Sequence, residues 1–276
     1  MATDKTSTSR VRVSPNLWMG LAVFLGYVAV MFVMWTVMDT DYEAVQDTQQ
    51  NALEGIVIPV AVGAAFLVVA TSLLGWWAPA LREKTRNLPK WLLIVPILFT
   101  VGGAMSLGGA DFGALELTHI LTIGAGVLLV GFSEELVSRG ILLTGARGTV
   151  GEIASWFITC LMFGLLHVIN IAFGAPVSST GFQILAAFLA GSTFYISRRV
   201  TGTLVVPMLM HALWDWGSLV NKATGEAPTV MTVAGLGATI GQLAMYLSLI
   251  LVLFVAFRYD LDGNRKSKKK AETVTD

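Results

Sequence analysis

Charge is what this sequence has least of. Only 13% of its 276 residues are Asp, Glu, Lys or Arg, against about 25% in a typical soluble domain. More than half of the residues, 55%, are hydrophobic, and the mean hydropathy is +0.71. A chain this apolar is expected in a lipid bilayer. The formal net charge is zero, so bulk charge points to no nucleic acid or other charged partner.

Cysteine is almost absent as well. Cys160 stands alone, which excludes a disulfide within the chain and a metal site built from four cysteines. The sequence also shows no nucleotide-binding loop, no internal repeat and no stretch with the composition of a soluble domain. The function is therefore sought among the membrane segments themselves.

Long apolar runs make up most of the chain. A transmembrane helix needs about 20 mostly apolar residues, and we predict eight spans, at residues 17–38, 56–77, 91–107, 117–143, 153–171, 181–197, 203–220 and 234–257. The sequence thus predicts an all-α polytopic membrane protein. Its single helical domain covers residues 17–258, between a tail of residues 1–16 and a basic tail of residues 259–276.

The distribution of basic residues predicts the orientation. With eight spans, 16 of the 18 Lys and Arg residues fall on one side of the membrane, while Lys222 falls on the other and Arg139 lies within a span. Cytoplasmic loops are enriched in Lys and Arg, so both termini are expected in the cytoplasm. The loops and the absence of an organelle address signal indicate the plasma membrane of a prokaryote.

Few ionisable side chains remain inside the predicted spans, and such residues are functional candidates. They are Glu134, Glu135, Arg139, His167, His211 and Asp215. For any one of them alone, a structural ion pair or a satisfied buried histidine is an equally good interpretation. Together they would supply a base, an acid and oxyanion stabilisation, which attack of water on an amide requires.

Helical spacing sorts these residues, because positions four apart share a face. Arg139 can therefore pair with Glu135, which leaves Glu134 to face a cavity. His211 and Asp215 are also four apart. At ~1.5 Å per residue from the cytoplasmic helix ends, Glu134, His167 and His211 lie ~14, ~21 and ~12 Å deep, so the three can meet.

Three motifs now stand in order: Glu134-Glu135-x-x-x-Arg139, Phe163-x-x-x-His167 and His211-x-x-x-Asp215. They resemble the motifs of the CPBP family, the CAAX-protease and bacteriocin-processing membrane enzymes. These are also called ABI, type II CAAX prenyl endopeptidase-like or lysostaphin-resistance-protein-A-like proteins. The resemblance covers residues 134–215, within the predicted spans of residues 117–220. It implies an eight-helix endopeptidase with its active site inside the membrane.

The resemblance also implies a role for each motif residue. Glu134 would activate water with help from His167, and His211 with residue 215 would form the oxyanion hole. Glu135 and Arg139 would support the site, as would Phe163. The family commonly has asparagine where this chain has Asp215. An ionised carboxylate cannot donate a hydrogen bond, so Asp215 would be protonated, orient His211 or help to hold a metal.

Several alternatives stay open. Glu134, His167 and His211 could form a zinc site with an open position, although the chain lacks an HExxH motif; no cofactor is otherwise implied. The same fold could serve as a non-catalytic interaction or immunity protein. A proton-coupled transporter is a further hypothesis, but the sequence shows no repeated halves or paired broken helices that would support it. The expected partners are the lipid bilayer and a peptide or membrane-protein substrate, prenylated or not.

Overall fold

The computed structural model describes residues 11–84, 88–225 and 228–255, together with Arg258. Of the predicted tail at residues 1–16, only residues 11–16 are described, and the predicted basic tail at residues 259–276 lies outside the described residues. The described chain is helical and contains no strand; two residues, Arg82 and Thr203, form an isolated antiparallel bridge. The predicted all-α class is therefore confirmed.

Eight long helices follow one another along the described part of the chain. They are α1 (Leu17–Val37), α2 (Gln49–Leu74), α3 (Lys90–Gly108), α4 (Leu117–Arg147), α5 (Glu152–Phe173), α6 (Val177–Thr201), α7 (Val205–Ala223) and α8 (Val233–Val255). All except α7 are long and apolar enough to cross a membrane. Helix α7 has 19 residues but carries His211 and Asp215, whose polarity lowers its hydropathy.

The predicted spans coincide with these helices, and the largest difference is at α2. We expected the second span to begin at residue 56, but the helix begins at Gln49. The side-chain oxygen of Thr48 accepts a hydrogen bond from the backbone N–H of Asn51 at 3.1 Å, which caps the helix. Polar residues therefore form the first helical turn, where a hydropathy pattern alone gives no signal.

Two of the motif-bearing helices change their winding at the motifs. Helix α4 widens to π-helical winding over Leu136–Leu142, immediately after the two glutamates. Helix α5 tightens to 3₁₀ winding over His167–Phe173, beginning at the motif histidine. Single π-helical turns inside α-helices are frequent at functional sites. The irregular winding changes which side chains face inward.

Helices α4 and α7 approach closely because their contact is built on glycine. A Cβ atom added to Gly131 would collide with the carbonyl oxygen of Met208 and lie 3.0 Å from the Ala212 amide nitrogen. About two turns earlier, the Trp216 ring lies over Gly124, with its Nε1 donating to the Ile120 carbonyl at 3.2 Å. The glycines thus bring the two glutamates of α4 next to His211.

The end of the bundle where α1 begins, here called the tail end, is joined by buried charges. Arg147 donates to Glu83 at 2.9 Å and to Glu152 at 2.5 Å. Glu83 also accepts from Arg198 at 3.1 Å, and Glu152 accepts from the Tyr195 hydroxyl at 2.5 Å. We had interpreted these arginines only as orientation signals. They also link α4, α5 and α6 to the segment that follows α2.

We expect Gly131→Ala to destabilise the protein by about 1–3 kcal/mol, because an added methyl group must push α4 and α7 apart. Gly181→Ala is the matched control, since a Cβ there meets nothing within 4 Å. Thermal unfolding of both variants in detergent measures the difference. Equal stability of the two variants would show that the contact between α4 and α7 tolerates a side chain.

Candidate active site

Glu135 is the most enclosed carboxylate of the site, and it contacts a guanidinium and an imidazole. Its side chain is fully buried. Arg139 Nε donates to its Oε2 at 2.7 Å, and Arg139 Nη2 contacts its Oε1. The Nδ1 atom of His211 lies 3.2 Å from the same Oε1. The pair expected from the spacing is therefore formed, and it also holds a residue of the third motif.

Aromatic rings enclose the guanidinium of Arg139. Its Cζ lies 4.0 Å from the ring centroid of Phe163 and 5.1 Å from that of Phe194. A cation over an aromatic face is attracted by the ring quadrupole. The second motif thus supports the first through the ring of Phe163.

Glu134 faces the other way and keeps an oxygen without a partner. Its side chain is 13% exposed and lines an internal cavity. Its Oε2 is buried and accepts no hydrogen bond within the described part of the chain. That oxygen lies 3.9 Å from Nε2 of His211. A buried carboxylate oxygen with an open lone pair beside a cavity can accept a hydrogen bond from a small polar ligand.

His211 has a carboxylate at each ring nitrogen. Nδ1 faces Glu135, and Nε2 lies 3.2 Å from Oδ2 of Asp215, four residues along the helix. The Phe194 ring stacks on the imidazole with centroids 5.0 Å apart and planes at 22°. Two acceptors match an imidazolium, in which both nitrogens are donors. Packing and hydrogen bonds together fix the plane of the ring.

His167, like His211, contacts the ring of Phe163. The Phe163 ring contacts His167 at a centroid distance of 5.6 Å and His211 at 5.7 Å, edge-to-face in both cases. His167 Nδ1 lies 3.1 Å from the Phe163 carbonyl oxygen. If Nδ1 carries the proton, Nε2 is the unprotonated nitrogen. His167 and Glu134 line the same cavity.

The cavity has a volume of about 380 Å³ and extends from His211 toward the end of the bundle opposite the tail end. Near that far end, Asn170 Nδ2 donates to Gln183 at 2.9 Å, and Gln183 Nε2 donates to the Tyr42 hydroxyl at 2.9 Å. Burial raises the pKa of Tyr42 to about 12. The hydroxyl therefore stays neutral at physiological pH and keeps a proton to donate.

The structure brings the three motifs together around Phe163. Glu134 and Asp215 both lie beside Nε2 of His211, and His167 reaches the same cavity across the ring. Our search for ionisable residues missed Phe194, whose only signal is its place in an apolar helix. It also missed Asn170 and Gln183, which a search for all polar residues inside the spans would have found.

The donor arrangement does not fit the zinc site considered from the sequence. Both nitrogens of His211 already face carboxylates, Nδ1 that of Glu135 and Nε2 that of Asp215. Across residues 11–84, 88–225 and 228–255, no three His, Cys, Asp or Glu side chains are grouped to hold a metal ion.

Comparison with known families adds an independent observation. Residues 116–217 match the family model described as type II CAAX prenyl endopeptidase Rce1-like. The match confirms the resemblance to the CPBP family. It runs from the start of α4 into α7 and includes all three motifs, and it supports a multi-pass membrane protein that resembles a protease family. Comparisons with curated proteins and with solved structures found no match.

We expect Glu135→Gln to lower the free energy of unfolding by about 3 kcal/mol or more, because it leaves the Arg139 charge buried without a counterion. Glu116→Gln is the control, since Glu116 is exposed at the start of α4. Thermal unfolding in detergent measures both. An unchanged transition in Glu135→Gln would mean that the buried pair contributes little net stability.

Proposed function

We propose that this protein is an intramembrane endopeptidase that cleaves membrane-associated peptides or the tails of membrane proteins. The observation that carries the proposal is the unpartnered Oε2 of Glu134, in a cavity, 3.9 Å from an imidazole held by two carboxylates. We also propose that all eight helices cross the plasma membrane of a prokaryote, with both termini in the cytoplasm. Long apolar helices and the distribution of basic residues support this arrangement.

Glu134 acts as the general base in this mechanism. A water molecule hydrogen-bonded to its open oxygen loses a proton to the carboxylate as it attacks the peptide carbonyl carbon. His167 offers a second acceptor on the cavity wall and orients the water. The proton on Glu134 then passes to the leaving amine. No metal is needed in this sequence of steps.

His211 supplies the charge that stabilises the oxyanion. An imidazolium with both N–H groups committed to carboxylates keeps its proton, and its Nε2 side faces the cavity beside Glu134. A fixed positive group in a water-poor site stabilises developing negative charge more than the same group in water. Asp215 accepts from Nε2 and holds the ring in place until substrate binds.

Glu135, Arg139 and Phe163 position these groups. Glu135 holds Nδ1 of His211, Arg139 neutralises Glu135, and Phe163 covers Arg139 and contacts both imidazoles. The family description suggests prenylated carboxyl-terminal peptides as substrates. In a prokaryotic membrane we include peptide pheromones, bacteriocins and membrane-protein tails in the proposed substrate class.

We expect Glu134→Gln to abolish cleavage while leaving the thermal unfolding temperature unchanged, because the amide cannot accept the proton but keeps the shape. Quantitative proteomics of membrane peptides, comparing cells with wild-type and Glu134→Gln protein, measures the loss and identifies the substrates. Cleavage of an identified peptide is then repeated with purified, chelator-treated enzyme, which is expected to stay active.

Equal peptide inventories in the two strains would contradict the peptidase and favour a non-catalytic protein on the same fold. Loss of wild-type activity after chelation, with recovery on adding zinc, would contradict the metal-free mechanism. The thermal unfolding control separates both results from simple misfolding of the variant.

We expect Asp215→Asn to lose nearly as much activity as Asp215→Ala, because the geometry fits an ionised Asp215 that accepts from Nε2 of His211 at 3.2 Å. Loss of a group that supports oxyanion stabilisation costs about 100-fold or more in kcat. Measuring both variants across a pH series distinguishes the two roles. An Asn variant that stays active and extends its activity to higher pH would mean that residue 215 is a hydrogen-bond donor.

A further inference from the structure

The walls of the catalytic cavity are buried or half-buried except along one side. Of the residues that line it, only Ala186, Lys222 and Gln242 are exposed. They lie on three neighbouring helices, α6, α7 and α8. The cavity therefore reaches the outside of the bundle between α6 and α8, with α7 behind the opening.

Helices α6 and α8 are in contact at the tail end of this opening. There the Thr193 hydroxyl of α6 lies 2.9 Å from the Ser248 hydroxyl of α8. Phe194 and Met245 belong to one hydrophobic cluster on the same level. This contact closes the inner end of the opening beside the catalytic residues.

Farther toward the far end, each helix packs against a different neighbour. A Cβ added to Gly102 of α3 would lie 2.6 Å from the backbone nitrogen of Gly241 in α8, so α8 packs closely against α3. A Cβ added to Gly164 of α5 would lie 2.7 Å from the carbonyl oxygen of Ile184 in α6, so α6 packs closely against α5. These separate contacts, together with the exposed lining residues Ala186 and Gln242, indicate a gap between α6 and α8 at this level.

The other sides of the cavity are closed in the same half of the bundle. Phe173 packs edge-on against Phe32 and Trp35, with centroids 5.4 and 5.3 Å apart, and joins α5 to α1. The hydrogen bonds from Asn170 to Gln183 and from Gln183 to Tyr42 close the far end. The gap between α6 and α8 is thus the side on which the residues that line the cavity are exposed.

One face of α7 lies behind this gap and extends as far as the catalytic groups. Asp215, Ser218 and Lys222 lie on that face at helical spacing, and all three line the cavity. Two turns separate Lys222 from Asp215, about 10 Å along the helix axis. A chain lying against this face would run from the membrane surface to His211.

We propose that an extended peptide segment of a membrane-embedded substrate enters sideways through the gap between α6 and α8, in the half of the bilayer at the far end. This inference rests on the proposed peptidase function. The Gln242 amide at the edge of the gap forms no hydrogen bond with the described residues, and it can donate to and accept from a peptide backbone. A lipid chain offers no partner for it.

Bulky substitutions at the gap test this route. Ala186→Trp and Gln242→Trp fill the gap from its two sides. Leu185→Trp and Leu243→Trp, each one residue away, are the controls. The native leucines there are 58% and 61% exposed and do not line the cavity. The release of the peptides that depend on Glu134 is measured in cells with each variant. We expect a fall of about tenfold or more for the first pair only, because overfilled contacts exclude the chain.

A binding measurement makes the test independent of catalysis. Purified protein with p-benzoylphenylalanine at position 242 or at position 243 is placed in vesicles with a synthetic peptide that joins a hydrophobic helix to a randomised extended segment. We expect stronger cross-linking to the peptide from position 242, and its loss when Ala186→Trp is added.

The two measurements separate the two proposals. Unchanged peptide release in both gap variants, with wild-type release still dependent on Glu134, would overturn the entry route and leave the peptidase intact. If no peptide depends on Glu134, the peptidase fails and cross-linking decides the route. Equal peptide cross-linking from the two positions, or cross-linking only to lipid at position 242, would overturn it.

Discussion

The buried contact of Glu135 with Arg139 and His211 is the interaction on which the rest of the site depends. Removing a carboxylate and a guanidinium from water costs several kcal/mol per ion unless each is paired. Here one carboxylate serves both a guanidinium and an imidazole, so the cost of burial is shared by two of the three motifs. Phe163, from the remaining motif, covers the guanidinium and completes the enclosure.

This buried contact also gives the two adjacent glutamates different roles. Because Glu135 is committed to the buried pair, Glu134 projects from the neighbouring face into the cavity and keeps an oxygen available. The close approach of α4 and α7 at Gly131 brings His211 within reach of both carboxylates. A helix contact made possible by the absence of a side chain thus positions the chemical groups.

Much of this could be predicted from the sequence, because the bilayer restricts what a polar residue can do. The pairing of Glu135 with Arg139 followed from spacing, and the few ionisable residues inside apolar spans identified the three motifs. Phe194 could not be found, since one phenylalanine in an apolar helix carries no signal. The shared use of Glu135 by His211 was also hidden, because it depends on how α4 and α7 pack.

The two ends of the bundle differ in how they satisfy their charges, and this difference gives the cavity its direction. At the tail end, Arg147 and Arg198 are joined to Glu83 and Glu152 in a partly buried network that ties several helices together. At the far end, neutral amide and hydroxyl groups of Asn170, Gln183 and Tyr42 take that place. Neutral hydrogen bonds cost less to separate than buried ion pairs. The half of the bundle with the weaker links is therefore the half in which helices can diverge and a cavity can reach the lipid.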